Sequence, residues 1–265
     1  MAEAIIDLLQ VMQRLRDPET GCPWDKRQTW QTLLPYTLEE VYEVADAVDR
    51  NDAESLKDEL GDLLLQIVFM AQIADEQGLF NFNEVAKGIT EKMQRRHPHI
   101  FGDTSFANEQ EQKQAWEAIK QQERLAKESS TQSTPTLFAN IPSTLPTLLR
   151  SQKIQKRVAQ VGFDWEHWQQ VLPKIQEELQ EVIEAVANQE PFARIEEEVG
   201  DVIFGTTNLA RMLGVNADNA LRLTNRKFEN RFLKVEQLLK EQGITLEQAT
   251  LQQMDEAWEQ AKQFE

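Results

Sequence analysis

Apolar residues recur at helical spacing along most of the chain, and no useful run alternates with the two-residue period of a strand. Between Ile5 and Leu15 they fall three or four positions apart, until the pattern breaks at Asp17 and Pro18. The later run L-L-L-Q-I-V-F-M-A-Q-I-A is apolar nearly all round, which is typical of a helix buried in a bundle or a dimer. Further helices are predicted at 38–47, 54–74, 83–96, 109–128, 145–161, 168–187, 193–212, 216–240 and 246–264. The pattern predicts an all-α protein built from helical bundles.

The polar positions follow a pattern that occurs twice. Each copy reads E-E-x-x-E, a short polar break, and then E-x-x-D with a glycine inside it and an apolar run behind. A segment with glycine and tryptophan precedes each copy, G-C-P-W-D in the first half and G-F-D-W in the second. A basic helix follows each copy, with Lys92 and Arg96 in the first half and Lys227 and Arg231 in the second. Such a long internal repeat predicts two copies of one domain rather than a solenoid of short units.

The repeat divides the chain of 265 residues into two domains. We expect the first domain at 1–128 and the second at 143–265, each long enough to have a core of its own. Between them, the segment S-S-T-Q-S-T-P-T is poor in apolar residues, so residues 129–142 are predicted to form a linker.

The repeated acidic residues form pairs on helix faces. In the second half, Glu177 and Glu181 share one face of a helix, with Glu178 beside them. Glu198 and Asp201 form a pair on the next helix, so two carboxylate pairs can face each other. Acids pressed together repel unless cations neutralise them, and carboxylate oxygens favour Mg²⁺ or Mn²⁺ over softer metals. Two solvated acidic faces are the alternative, but the recurrence of the pattern favours a metal site. The corresponding residues of the first half are Glu39, Glu40, Glu43, Glu59 and Asp62.

Composition and charge narrow the choice of partners. The net charge of −17 argues against a nucleic-acid backbone or an anionic membrane as the main partner. Cys22 is the only cysteine, which excludes an intrachain disulfide and a multi-cysteine zinc site. The N-terminus carries acids within its apolar pattern, and no apolar run reaches membrane-spanning length, so we expect neither a signal peptide nor a membrane helix. We therefore expect a cytoplasmic protein that has no DNA, RNA or membrane partner.

Three segments, G-C-P-W-D, R-R-H-P-H-I-F-G-D and V-G-F-D-W, accompany the doubled acidic pattern. Together they resemble the MazG nucleoside triphosphate pyrophosphohydrolases over almost the whole chain. The resemblance implies a tandem pair of all-α MazG domains that forms a homodimer. It also implies Mg²⁺-dependent hydrolysis of nucleoside triphosphates to monophosphate and pyrophosphate, with broad base tolerance and with Mn²⁺ as an alternative metal. The nucleotide used in the cell, and any regulatory protein partner, stay open.

The carboxylate chemistry and the resemblance agree on the roles of the acids. The metal would bridge the phosphates, orient them, and lower the pKa of a bound water that attacks phosphorus. Glu177 would be a further ligand or the residue that orients this water. The expected metal ligands are Glu178, Glu181, Glu198 and Asp201.

Metal alone does not neutralise a triphosphate, so cations are expected beside it. Lys174 lies one turn before Glu177, and Arg194 lies one turn before Glu198. For any one of these cations, an ion pair with a nearby glutamate is the alternative interpretation. By resemblance, and with Asn225 as a looser candidate, the substrate-binding positions are Lys174, Arg194, Lys227, Arg231, Lys120 and Trp258.

The two halves differ in their cations. Tyr36 stands where the second half has Lys174, and Ser55 stands where it has Arg194. The carboxylates and the basic pair that follows them are present in both halves. We therefore expect the main catalytic site in the second half, and a structural, regulatory or weakly active site in the first.

Two other functions stay open. A narrower pyrophosphohydrolase, acting on dUTP or on phosphoribosyl-ATP, would hydrolyse few nucleotides. A non-enzymatic acidic dimer would bind Mg²⁺ or nucleotide without releasing pyrophosphate. A carboxylate-bridged di-iron bundle is less favoured, because the E-x-x-H motifs that it needs are absent.

Overall fold

The structure is a computed structural model that describes residues 2–129 and 136–264. These residues form helices and turns and contain no β-strand, which confirms the predicted all-α fold. The chain divides into two compact units, Met1–Gln132 and Ser133–Glu265. This division falls within the predicted linker 129–142, part of which, 130–135, lies outside the described residues. The domain limits at 128 and 143 stay a prediction. Along the described residues, each helix is too short or too polar to cross a membrane.

The first unit is built on a hairpin of two long helices. Its helices are α1 (Ala2–Leu15), α2 (Trp30–Asp49), α3 (Ala53–Glu76), α4 (Phe82–Arg96), α5 (Pro98–Phe101) and α6 (Glu109–Ser129). Helices α2 and α3 pack along each other, α1 and α4 pack on α3, and α6 packs on α4. Asn51 has a positive φ of 53° and turns the chain between α2 and α3.

Helix α2 begins at Trp30, so the predicted start at residue 38 was too late. The reason is a capping box: the Thr29 hydroxyl accepts from the backbone N–H of Thr32, and the Thr32 hydroxyl accepts from the N–H of Thr29. Pro35 lies inside the helix and leaves one backbone hydrogen bond unmade, but the cap and the packing on α3 hold the extra turns in place.

Helix α3 is buried mainly in its C-terminal half. Val68 and Phe69 pack into the core of the first unit with Met12, Leu33 and Ile73. The N-terminal half of α3 and the turn before the core carry exposed apolar side chains at Leu60, Leu64 and Ile67. A helix that is apolar nearly all round therefore has only part of its apolar surface covered within a single chain.

The second unit repeats the hairpin. Its helices are α7 (Thr147–Ala159), α8 (Val171–Ala187), α9 (Phe192–Met212), α10 (Ala217–Glu241) and α11 (Leu251–Ala261). Helices α8 and α9 pack along each other, α7 packs on α9, and α10 packs on α11 around a core that includes Val235 and Leu239. Two predicted helices began too early. A 3₁₀ turn, Trp168–Gln170, precedes α8, and α11 starts only after Thr250, whose side chain caps it.

Candidate active site

The carboxylates of the second unit meet across the α8–α9 hairpin. Ligand oxygens of Glu178, Glu198 and Asp201 all lie within 4.8 Å of one another. Glu178 and Glu198 are buried, whereas Asp201 is exposed. A hydrogen bond that protonated Glu181 donates to the Glu178 carboxylate raises the pKa of Glu181 above its usual range, and burial and the charge of Glu198 raise it further. The acids are therefore close enough to share protons or a cation.

Two cations of the same helices occupy part of this acidic site. The Lys174 Nζ atom lies 2.9 Å from a carboxylate oxygen of Glu177 and 2.9 Å from one of Glu178. Hydrogen bonds to these two acids raise the pKa of Lys174, so it stays charged. Arg194 pairs with the buried carboxylate of Glu198. Because the Lys174 and Arg194 side chains are 44% and 46% exposed, they can also turn toward a ligand.

The first unit has a matching acidic cluster. Ligand oxygens of Glu40, Glu43 and Glu59 lie within 4.8 Å of one another. Burial raises the pKa of Glu40, and the nearby charge of Asp62 raises it further. Burial likewise raises the pKa of Glu59, with the charge of Glu43 adding to the effect. Glu39 is exposed.

The two positions that hold cations in the second unit serve packing and capping in the first. The Tyr36 ring packs edge-on against Trp24, with ring centres 6.0 Å apart. The Ser55 hydroxyl donates to the carboxylate of Asp52, the N-cap residue of α3, at 2.7 Å. The first cluster therefore lacks the two internal ion pairs that the second one has.

The basic helix α10 presents a further pair of predicted substrate residues. The Arg231 guanidinium lies over the Trp258 ring, 4.7 Å from its centre, and the Phe228 ring packs against the same tryptophan. Lys227 lies one turn before Arg231 and is exposed, as is Asn225. The structure thus brings Arg231 and Trp258 together, as part of one aromatic and cationic surface.

Lys120 lies in α6 of the first unit. Its Nζ atom is 3.7 Å from the centre of the Trp116 ring and 3.3 Å from an oxygen of Glu117. The sequence around it, A-W-E-A-I-K, recurs at the end of the second unit as A-W-E-Q-A-K, ending at Lys262. The repeat predicted from the sequence did not include this segment, although the amino-acid sequence alone shows the similarity.

The fold and the site define a class of protein: a tandem all-α chain with two carboxylate-lined helical hairpins followed by basic helices. The family described as the MazG nucleotide pyrophosphohydrolase domain matches the chain twice, at residues 28–101 and 166–235. Each match includes one complete acidic hairpin and its basic pair. The chain belongs to the MazG family, as the sequence resemblance indicated.

Similar proteins carry names that agree with this family. The chain is 49% identical to the nucleoside triphosphate pyrophosphohydrolase of Escherichia coli K12, over 97% of both chains. It is 43% identical to the nucleoside triphosphate pyrophosphohydrolase/pyrophosphatase MazG of Thermotoga maritima, over 97% of this chain and 94% of that protein. The crystal structure of a mazG-related protein from Thermotoga maritima aligns with a TM-score of 0.38 at 29% identity, covering 44% of this chain and 98% of that one.

Proposed function

We propose that this protein hydrolyses nucleoside triphosphates to the monophosphate and pyrophosphate, with broad base specificity, at the carboxylates of the α8–α9 hairpin. The observation that carries the proposal is the combination found there: facing carboxylates with two cations already beside them. The names of relatives that match along nearly the whole chain support the same reaction.

The acids of this hairpin fit a hard divalent cation. They offer only oxygen atoms, they lie close together, and two of them are buried, which suits Mg²⁺ or Mn²⁺. Such an ion supplies positive charge against the triphosphate and acidifies a coordinated water when it is bound. The residues that would hold it are Glu178, Glu181, Glu198 and Asp201.

Side chains of the protein accept the proton and neutralise the phosphate charge. Water attacks the α-phosphorus, and the bond from that phosphorus to the bridging oxygen breaks, so pyrophosphate leaves with the oxygen. Glu177, which is exposed and is paired with Lys174 before the substrate binds, orients the water and accepts its proton. Lys174 and Arg194 turn from their carboxylates toward the phosphates, and Lys227 and Arg231 meet further phosphate charge, with Trp258 packed against the Arg231 guanidinium.

We propose that the first unit binds metal but binds and hydrolyses triphosphate poorly. Three of its carboxylates, Glu40, Glu43 and Glu59, also cluster, yet Tyr36 and Ser55 offer no positive charge to a phosphate. We assign it a structural, regulatory or weakly active role.

A homodimer is part of the proposal. Exposed apolar side chains stand at corresponding positions of the two acidic hairpins: Val41 and Leu179, Val48 and Val186, Leu60 and Val199, and Leu64 and Ile203. A Cβ atom added at Gly61 or Gly200 would meet no atom within 4 Å, so a single chain does not itself require glycine there. Both observations fit a second copy packed on these hairpins. Sedimentation analysis should show a dimer that Leu179→Glu weakens, and a monomeric wild-type protein would contradict the proposal.

Pyrophosphate release from a panel of ribo-, deoxyribo- and modified nucleoside triphosphates, with Mg²⁺ and with EDTA, tests the reaction. We expect metal-dependent release from most of them. Release from dUTP alone would favour the narrower hydrolase. Nucleotide binding without any release would favour a non-enzymatic regulator. We also propose a cytoplasmic location.

A further inference from the structure

The carboxylate of Glu123, on α6, binds the two arginines that end α4. The Nε and Nη2 atoms of Arg95 lie 2.8 and 2.6 Å from its Oε1 atom. Those of Arg96 lie 3.0 and 2.6 Å from its Oε2 atom. Each carboxylate oxygen therefore accepts from one guanidinium group, an arrangement that two oxygens of a phosphate group also satisfy.

Glu123 is a shielded and permanently charged group. The side chains of Glu123 and Arg96 are each 17% exposed, whereas that of Arg95 is 55% exposed. Hydrogen bonds from Arg96 lower the pKa of Glu123, and those from Arg95 add to this effect, although burial acts in the opposite direction. The fold therefore contains its own anion at the basic end of α4.

A cavity of about 360 Å³ opens beside Arg96, where the end of α4, the short helix α5 and α6 meet. Its lining includes a second cation, Lys113, together with His97 and His99, against the single acid Glu109. Because one water takes about 30 Å³ of liquid volume, the cavity has more room than a pyrophosphate ion needs. It thus offers space and a further positive charge next to an arginine whose charge a carboxylate already neutralises.

We propose that this cavity is an anion site for inorganic pyrophosphate and that Glu123 holds it closed by occupying the two arginines; this rests on the proposed function. Pyrophosphate is the product that the second unit is proposed to release. Before a phosphate group can bind at the arginines, it must displace the carboxylate, so the wild-type site binds pyrophosphate weakly. A clamp that only holds α6 on α4 would stabilise the fold without hiding a site.

Removal of the carboxylate charge tests this. Calorimetric titration of the full chain with inorganic pyrophosphate, in the absence of divalent metal, counts the bound ions. Glu123→Gln removes the charge but keeps an oxygen that can accept from one arginine. We expect this variant to bind one more pyrophosphate per chain than wild type, since the released guanidinium groups raise the affinity of the cavity about tenfold or more. Glu91→Gln removes an equal charge from a pair with Lys87 on α4, and should bind as wild type does.

Substitution of an arginine locates the gained site. Added to Glu123→Gln, Arg96→Met should abolish the additional binding. Arg50→Met is the matched control, because Arg50 also lies at the end of a helix and pairs with a carboxylate, that of Asp46, but lies outside the cavity lining. It should leave the additional binding in place.

Arg96→Met in the otherwise wild-type chain gives an answer even if Glu123→Gln does not fold. Because Glu123 already occupies this arginine, the single variant should bind as many pyrophosphate ions as wild type. Loss of one would show that the wild-type site is open and would overturn the proposal.

Thermal unfolding shows which variants are folded. No additional binding by folded Glu123→Gln, or additional binding that survives Arg96→Met, would overturn the assignment and leave Glu123 as a clamp between helices. If Glu123→Gln gains the site while wild type releases no pyrophosphate from any triphosphate, the proposed reaction fails and the anion site stands.

Discussion

Removing the two cations of the second acidic site should separate metal binding from nucleotide binding. Lys174 and Arg194 lie against Glu178 and Glu198, two of the oxygen donors that a metal would need. In the double variant Lys174→Met, Arg194→Met, these carboxylates lose their internal partners but keep the aliphatic parts of both side chains nearby. We expect the metal to bind more tightly in the absence of nucleotide, and the nucleotide to bind more weakly.

The expected change in metal affinity follows from the solvent exposure of the two ion pairs. Both cations are nearly half exposed, so each ion pair is screened by water and each replacement should change metal affinity only a few-fold. Together they should tighten Mn²⁺ binding by about tenfold. Loss of two charge-assisted contacts to phosphate should raise the KM for a nucleoside triphosphate by about tenfold or more.

Titration of the chelator-treated protein with Mn²⁺, followed by electron paramagnetic resonance of the free ion, measures the first effect. Steady-state pyrophosphate release measures the second. Lys87→Met is a matched control, because Lys87 also pairs with a glutamate one turn away, Glu91, but on a helix outside the acidic hairpins. Unchanged or weaker Mn²⁺ binding in the double variant would refute the idea that the two cations compete with the metal for these carboxylates.

Two further predictions concern stability. The hydrogen bond from Arg16 lowers the pKa of Glu76, so this pair should stabilise the fold above the ordinary pKa of glutamate and lose its effect as the pH falls through the lowered value. Glu76→Gln should therefore cost about 1 kcal/mol in urea unfolding at neutral pH and nothing in strong acid; a gap that persists in acid would contradict this. Leu239→Ala empties a fully buried position and should cost about 2–5 kcal/mol, whereas Leu251→Ala, at an exposed position, should change the unfolding free energy by less than about 0.5 kcal/mol.

The sequence predicted that acids of neighbouring helices would lie near one another, because helical periodicity decides which residues share a face; their functional roles stay a prediction. Glu178, Glu198 and Asp201 come together because two amphipathic helices joined by a short turn must pack side by side. The two interpretations offered for Lys174, a phosphate contact or a partner of a glutamate, were not exclusive. Lys174 forms ion pairs with Glu177 and Glu178 in the structure, and its contact with phosphate stays a prediction.

Other features depend on contacts that periodicity does not report. The start of α2 depends on the capping box of Thr29, and Pro35 in its second turn hid the continuity of the helix. The packing of α7 on α9 buries Gln155, a position that the polarity of glutamine does not suggest. When the repeat is aligned on Asp62 and Asp201, Phe69 corresponds to Asn208. The sequence shows this difference, but only the structure shows that Trp24 packs against Phe69 in the first unit.

The central claim is that the second acidic hairpin carries the reaction, and pyrophosphate release by paired alanine variants tests it most directly. With Mg²⁺ and a mixed panel of nucleoside triphosphates, Glu178→Ala and Asp201→Ala should abolish release. The matching variants of the first hairpin, Glu40→Ala and Asp62→Ala, should retain most of it. Equal losses in the two hairpins would contradict the assignment.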